Sequence, residues 1–146
     1  MPPSWPLLRP ACEADRPACA QIYREARRAA FHWDPREYDL AEFAGSSYGE
    51  KLWVAEDEEG GILAFASVWE APDYWFLHNL FVSPAHQQKG IGRALLVHVL
   101  AAIGRPVELK TDAPNLVAKR LYEGFGFQVV EESASDPVSW LKMRLA

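Results

Sequence analysis

The sequence predicts an α/β chain of the α+β type, a mixed β-sheet with helices on both faces. Three observations carry this. Short apolar runs of strand length alternate with segments of helical period. Some of the strands are joined by tight turns, which makes antiparallel pairs. Others are separated by a whole helix, which makes a parallel pair with a crossover. The resulting order is β, α, α, β, β, β, α, β, α, β, β, and it suits three layers.

Each element has a local reason. "PLLRPA" reads as a short first strand. "EADRPACAQIYREARRAAF" reads as a helix, with Asp15 as N-cap and Pro17 in its first turn. "DPREYDLAEFAGS" reads as a second, shorter helix that opens at Asp34-Pro35. "KLWVAED" and "GILAFASVWE" are strands, and "EEGG" between them makes a hairpin. The acidic run Glu56 to Glu59 falls in that turn as a solvated loop. "YWFLHNLFV" is a strand stopped by Ser83-Pro84. A helix follows and ends near Gly104 and Pro106. "PVELKTD" is the next strand. "NLVAKRLYEGFGF" is a helix with Val117, Leu121 and Phe125 on one face, closed by glycines. "FQVVEE" and "WLKMRLA" complete the set as strands.

The composition narrows the function. The chain has 146 residues, 49% of them apolar, which suits one core rather than disorder. The net charge of -5 argues against nucleic acid as a partner. No apolar run approaches a membrane span, and the N-terminal stretch lacks a secretory pattern, so a cytoplasmic protein is expected. Cys12 and Cys19 have no metal-type spacing and are expected to be reduced. His32, His78, His86 and His98 form no zinc signature, so no metal is expected.

The stretch "AHQQKGIGRALLVHVL", residues 85–100, places Lys89, Gly90 and Gly92 where a helix must begin. Glycine there costs helix stability, about 1 kcal/mol against alanine. A helix N-terminus, however, offers unpaired N–H groups and a partial positive charge, which suit an anion. Glycine lets a phosphate approach the backbone without meeting a Cβ. The Walker pattern does not fit, because Lys89 precedes Gly90 and no Ser or Thr follows. The dinucleotide fingerprint fails at Leu95, where a third glycine is required. Taken alone, the glycines are equally a tight strand-to-helix turn.

Two segments together resemble the Gcn5-related N-acetyltransferase (GNAT) family. "LFVSPAHQQKGIG" fits the family pattern Arg/Gln-x-x-Gly-x-Gly/Ala, with Gln87, Gly90 and Gly92 in register. "NLVAKRLYEGFGF" fits a second family segment through Asn115, Tyr122, Gly124, Phe125, Gly126 and Phe127. The element order agrees over nearly the whole chain, so residues 1–146 are expected to form a single domain of this type.

The resemblance implies a strongly twisted sheet flanked by about four helices, with central parallel strands that splay apart. It implies acetyl-CoA as co-substrate and a primary amine, small-molecule or peptide, as acceptor. The pyrophosphate is then expected on Gln87, Gln88, Lys89, Gly90, Ile91, Gly92 and Arg93. Main-chain groups of Leu80, Phe81 and Val82 are expected to meet the pantetheine arm and the acetyl carbonyl. Asn115 is also expected on the arm, and as a residue it reads as a helix N-cap, a part compatible with the first. Tyr122 matches the family's usual general acid, in register with Asn115; the other reading is a core tyrosine on the same helix face as Ala118. His78, on the strand leading to Val82, and Glu70, at the end of the preceding strand, are candidates for the general base. Glu108 is a further carboxylate, since Lys110 stands where some relatives place a glutamate.

The aromatics Phe31, His32, Trp33, Trp53, Trp69, Tyr74 and Trp75 read either as core or as the wall of an acceptor pocket that holds a cation. The analogy with the family implies a homodimer through the C-terminal strands, with Trp140 at the interface. The reading of another class is a non-catalytic acyl-CoA-binding sensor or regulatory module. It keeps the glycine loop and has no use for Tyr122.

Overall fold

The structure is a computed structural model that describes residues 5–30, 43–45, 47–134 and 139–146. The helix expected over 34–46 lies outside the described residues, apart from a helical turn at 43–45. So do Phe31, His32 and Trp33.

Among the described residues seven strands form one sheet: β1 Leu7–Pro10, β2 Lys51–Glu56, β3 Ile62–Glu70, β4 Trp75–Val82, β5 Val107–Asp112, β6 Gln128–Ser133 and β7 Trp140–Leu145. Three α-helices are described: α1 Arg16–Ala30, α2 Ile91–Ile103 and α3 Leu116–Gly124. The sheet order is β1-β2-β3-β4-β5-β7-β6. All pairings are antiparallel except β4 with β5, the pair that α2 connects. The sheet is therefore mixed, as the alternation of hairpins and crossovers requires.

The β2–β3 hairpin closes through Asp57. Its Oδ1 accepts the N–H groups of Glu59 and Gly61 at 2.9 and 2.7 Å. The run read as a solvated loop is thus partly built in: Asp57 holds the turn, and Glu56 pairs with Arg9 Nε at 2.8 Å. Asp15 also differs from its expected part. A 3-10 turn, Glu13–Asp15, precedes α1, so Asp15 is no N-cap. Its Oδ2 instead reaches back to the Cys12 N–H at 2.8 Å, and its carboxylate takes two bonds from the Arg9 guanidinium. Asp15 thus still helps close this N-terminus, as the third residue of a capping box on Cys12, while it also pairs with Arg9 of β1.

The two faces bury different side chains. On one face Leu95, Leu96 and Val99 of α2 are fully buried against Ala64, Ala66, Val68 and Leu109. Each such aliphatic side chain contributes about 1.5–3 kcal/mol on removal from water. On the other face Ile22 and Tyr23 of α1 pack with Phe43, Leu52, Val54, Phe65 and Phe81. The rings interlock edge-on there: Phe43 and Phe65 lie 5.3 Å apart, and Tyr23 and Phe81 lie 5.8 Å apart.

The feature that positions the site is a short ladder. β4 and β5 pair only through Trp75–Val107, Phe76–Glu108 and Leu77–Leu109. Yet β4 goes on pairing with β3 as far as Val82, and β5 with β7 as far as Asp112. Beyond Leu77 the two parallel strands therefore part, each still held on its outer side.

Candidate active site

The opening between the strands is lined by main chain. The Ser83 N–H donates to the Leu63 carbonyl, 2.8 Å away. In an antiparallel pair, alternate residues turn their polar groups toward the partner strand. Counting back along the register, Phe81 faces β3, while Val82 and Leu80 face the β5 side, where the ladder has ended. Two of the three residues expected to offer main-chain groups thus point them into the opening. Phe81 differs: its N–H and C=O belong to the β3 ladder, and its ring joins the α1 core.

At the top of the opening the chain turns into α2. Gln88 has φ of +64° and Gly90 has φ of +81°, so left-handed residues alternate with others just before the helix. This geometry directs successive N–H groups into one concavity. Gly90 occupies the N-cap, where its missing side chain leaves the first-turn N–H groups without a cap. A Cβ on Gly90 would meet nothing within 4 Å, so the loop is open on that side. Gly92 has another reason to be glycine. Its Cβ would stand 3.1 Å from Val82 Cγ2, which seats the helix start directly on the end of β4.

Gln87 ties the two parts together, because its Nε2 donates to the Val82 carbonyl at 3.2 Å. Lys89 and Arg93 are exposed beside the loop, and the Arg93 guanidinium lies over the Phe125 ring at 4.9 Å. Ile91 is buried in the α2 core.

Asn115 is the N-cap of α3, and its Oδ1 accepts the Ala118 N–H at 3.2 Å. Its amide NH2 is left as a donor. Tyr122 is buried in the last turn of α3, with its ring edge-on to Phe127 at 5.7 Å. It belongs to the apolar cluster that also packs Leu80, Val82 and Ile91. Burial alone pushes its phenol well above the ordinary tyrosine value, so it stays protonated.

The two base candidates have different surroundings. His78 sits where β4 carries one residue more than β3: Asn79 pairs with Ser67 and Leu77 with Val68. Its Nδ1 lies 2.9 and 3.1 Å from the two carboxylate oxygens of Glu50. Beside it the Asn79 amide donates to Ser67 Oγ at 2.8 Å, and both residues are buried. Glu70 lies at the strand end with its side chain 63% exposed, 3.8 Å from Lys51. Glu108 is buried in ion pairs with Arg144 and Lys142 across β7. Its carboxylate is committed to the sheet.

Sequence reasoning missed Glu50. It precedes Lys51 by one residue and follows a turn, and nothing in its spacing links it to a histidine 28 positions later. Of the expected pocket aromatics that are described, Trp53 is buried and Trp69 is exposed. Tyr74 and Trp75 are half-buried, and Lys51 lies over the Trp75 ring at 5.1 Å. Among the described residues no group of His, Cys, Asp and Glu is arranged to hold a metal ion. No described helix is long and apolar enough to cross a membrane.

Known proteins agree with this arrangement. The ribosomal protein bS18-alanine N-acetyltransferase of Escherichia coli is 33% identical over 118 residues, covering 77% of this chain and 74% of that protein. The L-methionine sulfoximine/L-methionine sulfone acetyltransferase of Salmonella typhimurium is 32% identical over 140 residues, covering 86% and 81%. Among solved structures, YncA of Salmonella typhimurium, determined with its cofactor acetyl-CoA, superposes with a TM-score of 0.70 at 26% identity, covering 95% and 92%. The acetyltransferase (GNAT) domain family matches residues 48–129, the stretch from the turn before β2 to the start of β6. With its mixed sheet, parted parallel strands and glycine loop, the chain belongs to the GNAT acetyltransferase family and is an acyltransferase.

Proposed function

We propose that this chain moves the acetyl group of acetyl-CoA to a primary amine by direct attack. The observation that carries the reading is the β4–β5 ladder, which ends at Leu77–Leu109 while β4 runs on to Val82, against which a glycine loop with open N–H groups is seated. The residues present fit the co-substrate: the loop can receive a pyrophosphate, and the parted strands can receive an extended, amide-bearing arm.

In this reading the N–H groups of residues 88 to 93 hold the pyrophosphate, with Lys89 and Arg93 adding charge. Main-chain groups of Leu80 and Val82 and the Asn115 amide bind the arm. The Val82 N–H donates to the thioester oxygen as that oxygen gains negative charge. An alkylammonium must lose a proton before it attacks, and His78 accepts that proton at Nε2. Tyr122 donates its phenolic proton to the leaving thiolate. A phenol is neutral at pH 7 and so has a proton to give.

The acceptor class follows from the amine chemistry shared by the relatives. One acetylates a ribosomal-protein alanine, one acts on methionine sulfoximine and methionine sulfone, and one is a peptidyl-lysine N-acetyltransferase. The test is thiol release from acetyl-CoA with a peptide bearing N-terminal alanine, a lysine peptide and methionine sulfone. Release above the amine-free rate with any of them is expected. Tyr122→Phe should lower kcat on the order of 10²-fold. A phenylalanine variant at the wild-type rate removes Tyr122 from the mechanism. No amine-dependent release overturns the reading.

A further inference from the structure

Glu50 is a described carboxylate that the proposed chemistry does not use, and its placement is specific. Its neighbour Lys51 has a side chain 62% exposed, whereas the Glu50 side chain is 7% exposed. A carboxylate withdrawn from water is costly without a partner. Its partner is the His78 imidazole, and both carboxylate oxygens lie within hydrogen-bond distance of Nδ1.

Both ends of this contact are built. On the Glu50 side, the Ser47 N–H and Oγ both donate to the Phe43 carbonyl, at 3.0 and 2.7 Å. The Glu50 N–H then donates to the Ser47 carbonyl at 3.0 Å. Gly49 between them has φ of +79°, which a side chain rarely tolerates. The turn therefore delivers Glu50 at a set angle to the start of β2. On the other side, the extra residue in β4 is a bulge, and bulges re-aim a side chain. The bulge lets His78 reach past β3 to a residue beside β2.

A carboxylate accepts hydrogen bonds and donates none, so Nδ1 must carry the proton. The bond at one ring nitrogen decides the state of the other. Nε2 is then the nitrogen with the free lone pair. We infer that Glu50 is a positioning residue for the acetyl transfer: it holds His78 in the Nδ1–H tautomer, fixes the ring, and stabilises the imidazolium formed when Nε2 takes the amine proton. This rests on His78 being the base, as proposed above. Glu50 itself touches neither substrate nor the reacting atoms, so it acts through the ring alone.

Two measurements separate this inference from the base reading. The first needs no variant. Nitrogen NMR of the wild-type protein, at a pH where the His78 ring is neutral, should show the Nδ1–H tautomer, and Glu50→Ala should lose it. A wild-type ring in the Nε2–H form, or one unchanged in Glu50→Ala, overturns the positioning.

The second is a double-mutant cycle on kcat with Glu50→Ala, His78→Gln and the pair. Glu50→Ala should lower kcat about 10–100-fold with little change in the acceptor KM. In the His78→Gln background it should cost nothing further. An equal loss in that background overturns the inference, because Glu50 would then act independently of the ring. A His78→Gln enzyme with undiminished kcat overturns the base reading, and with it the catalytic consequence, while the tautomer result still reports on the contact.

Discussion

Gly92 lies so close to Val82 that an added Cβ would stand 3.1 Å from Val82 Cγ2. This contact seats the start of α2 on the end of β4. It joins the helix N-terminus to the strand whose main chain lines the opening. Gly92→Val should destabilise the fold by about 1–3 kcal/mol through overpacking. Denaturant unfolding checks this. Gly90 is glycine for its backbone angle instead, so Gly90→Ala should cost about 1–2 kcal/mol from the left-handed conformation alone.

Asp15 carries the main acid-sensitive contact of the N-terminal region. The Arg9 guanidinium, with help from the Cys12 N–H, holds its carboxyl well below the usual carboxylate range. A depressed value means stability that is present above the unfolded value, near 3.9, and lost as pH falls through the folded value. Wild-type stability should therefore fall below about pH 4. Asp15→Asn should be less stable at pH 7 by about 2 kcal/mol and should lose less on acidification. Urea midpoints at pH 7 and pH 3 decide it.

The two cysteines should differ sharply in reactivity. Both are free thiols, Cys12 exposed and Cys19 buried. Burial pushes the Cys19 thiol up to about 12, which leaves almost no thiolate at neutral pH. Iodoacetamide on the native protein should modify Cys12 alone, and denaturant should release the second site. Mass spectrometry of the alkylated chain reads the outcome directly.

Asn115 combines a structural and a binding part. Asn115→Ala removes the bond to the Ala118 N–H and should cost about 1 kcal/mol. Asn115→Ser can keep the cap but loses the amide donor. If the donor meets the pantetheine arm, the serine variant should keep wild-type stability yet show a raised KM for acetyl-CoA.

Much of the fold was legible because its signals are local. The hairpin at residues 57–61, the stop at Ser83-Pro84 and the cap at Asn115 each depend on residues a few positions apart. The glycine loop was legible as a place where the backbone matters. Its two glycines, however, serve different ends, a positive φ at Gly90 and a close approach at Gly92, and only the packed strand separates them.

What stayed hidden in the sequence is long-range. Asp15 read as a cap because its pairing with Arg9 depends on where β1 runs beside the helix start. Glu108 remained a free candidate until β7 brought Arg144 and Lys142 against it. Glu50 had no signal at all. Its link to His78 needs three adjacent strands, a turn and a bulge in register.

In the proposed function, the loop before α2 holds the pyrophosphate of a CoA species. The most direct measurement is the thermal midpoint of wild type and Gly90→Val with acetyl-CoA, CoA, ATP and NAD, each at the same concentration. A ligand at about 100 times its Kd adds about 2.7 kcal/mol, a shift that is readily seen. A rise with acetyl-CoA and CoA is expected in the wild type and should be much reduced in Gly90→Val, each compared with its own ligand-free midpoint. A wild type that does not respond to either CoA species, or a Gly90→Val protein that responds as fully as the wild type, would contradict this role of the loop.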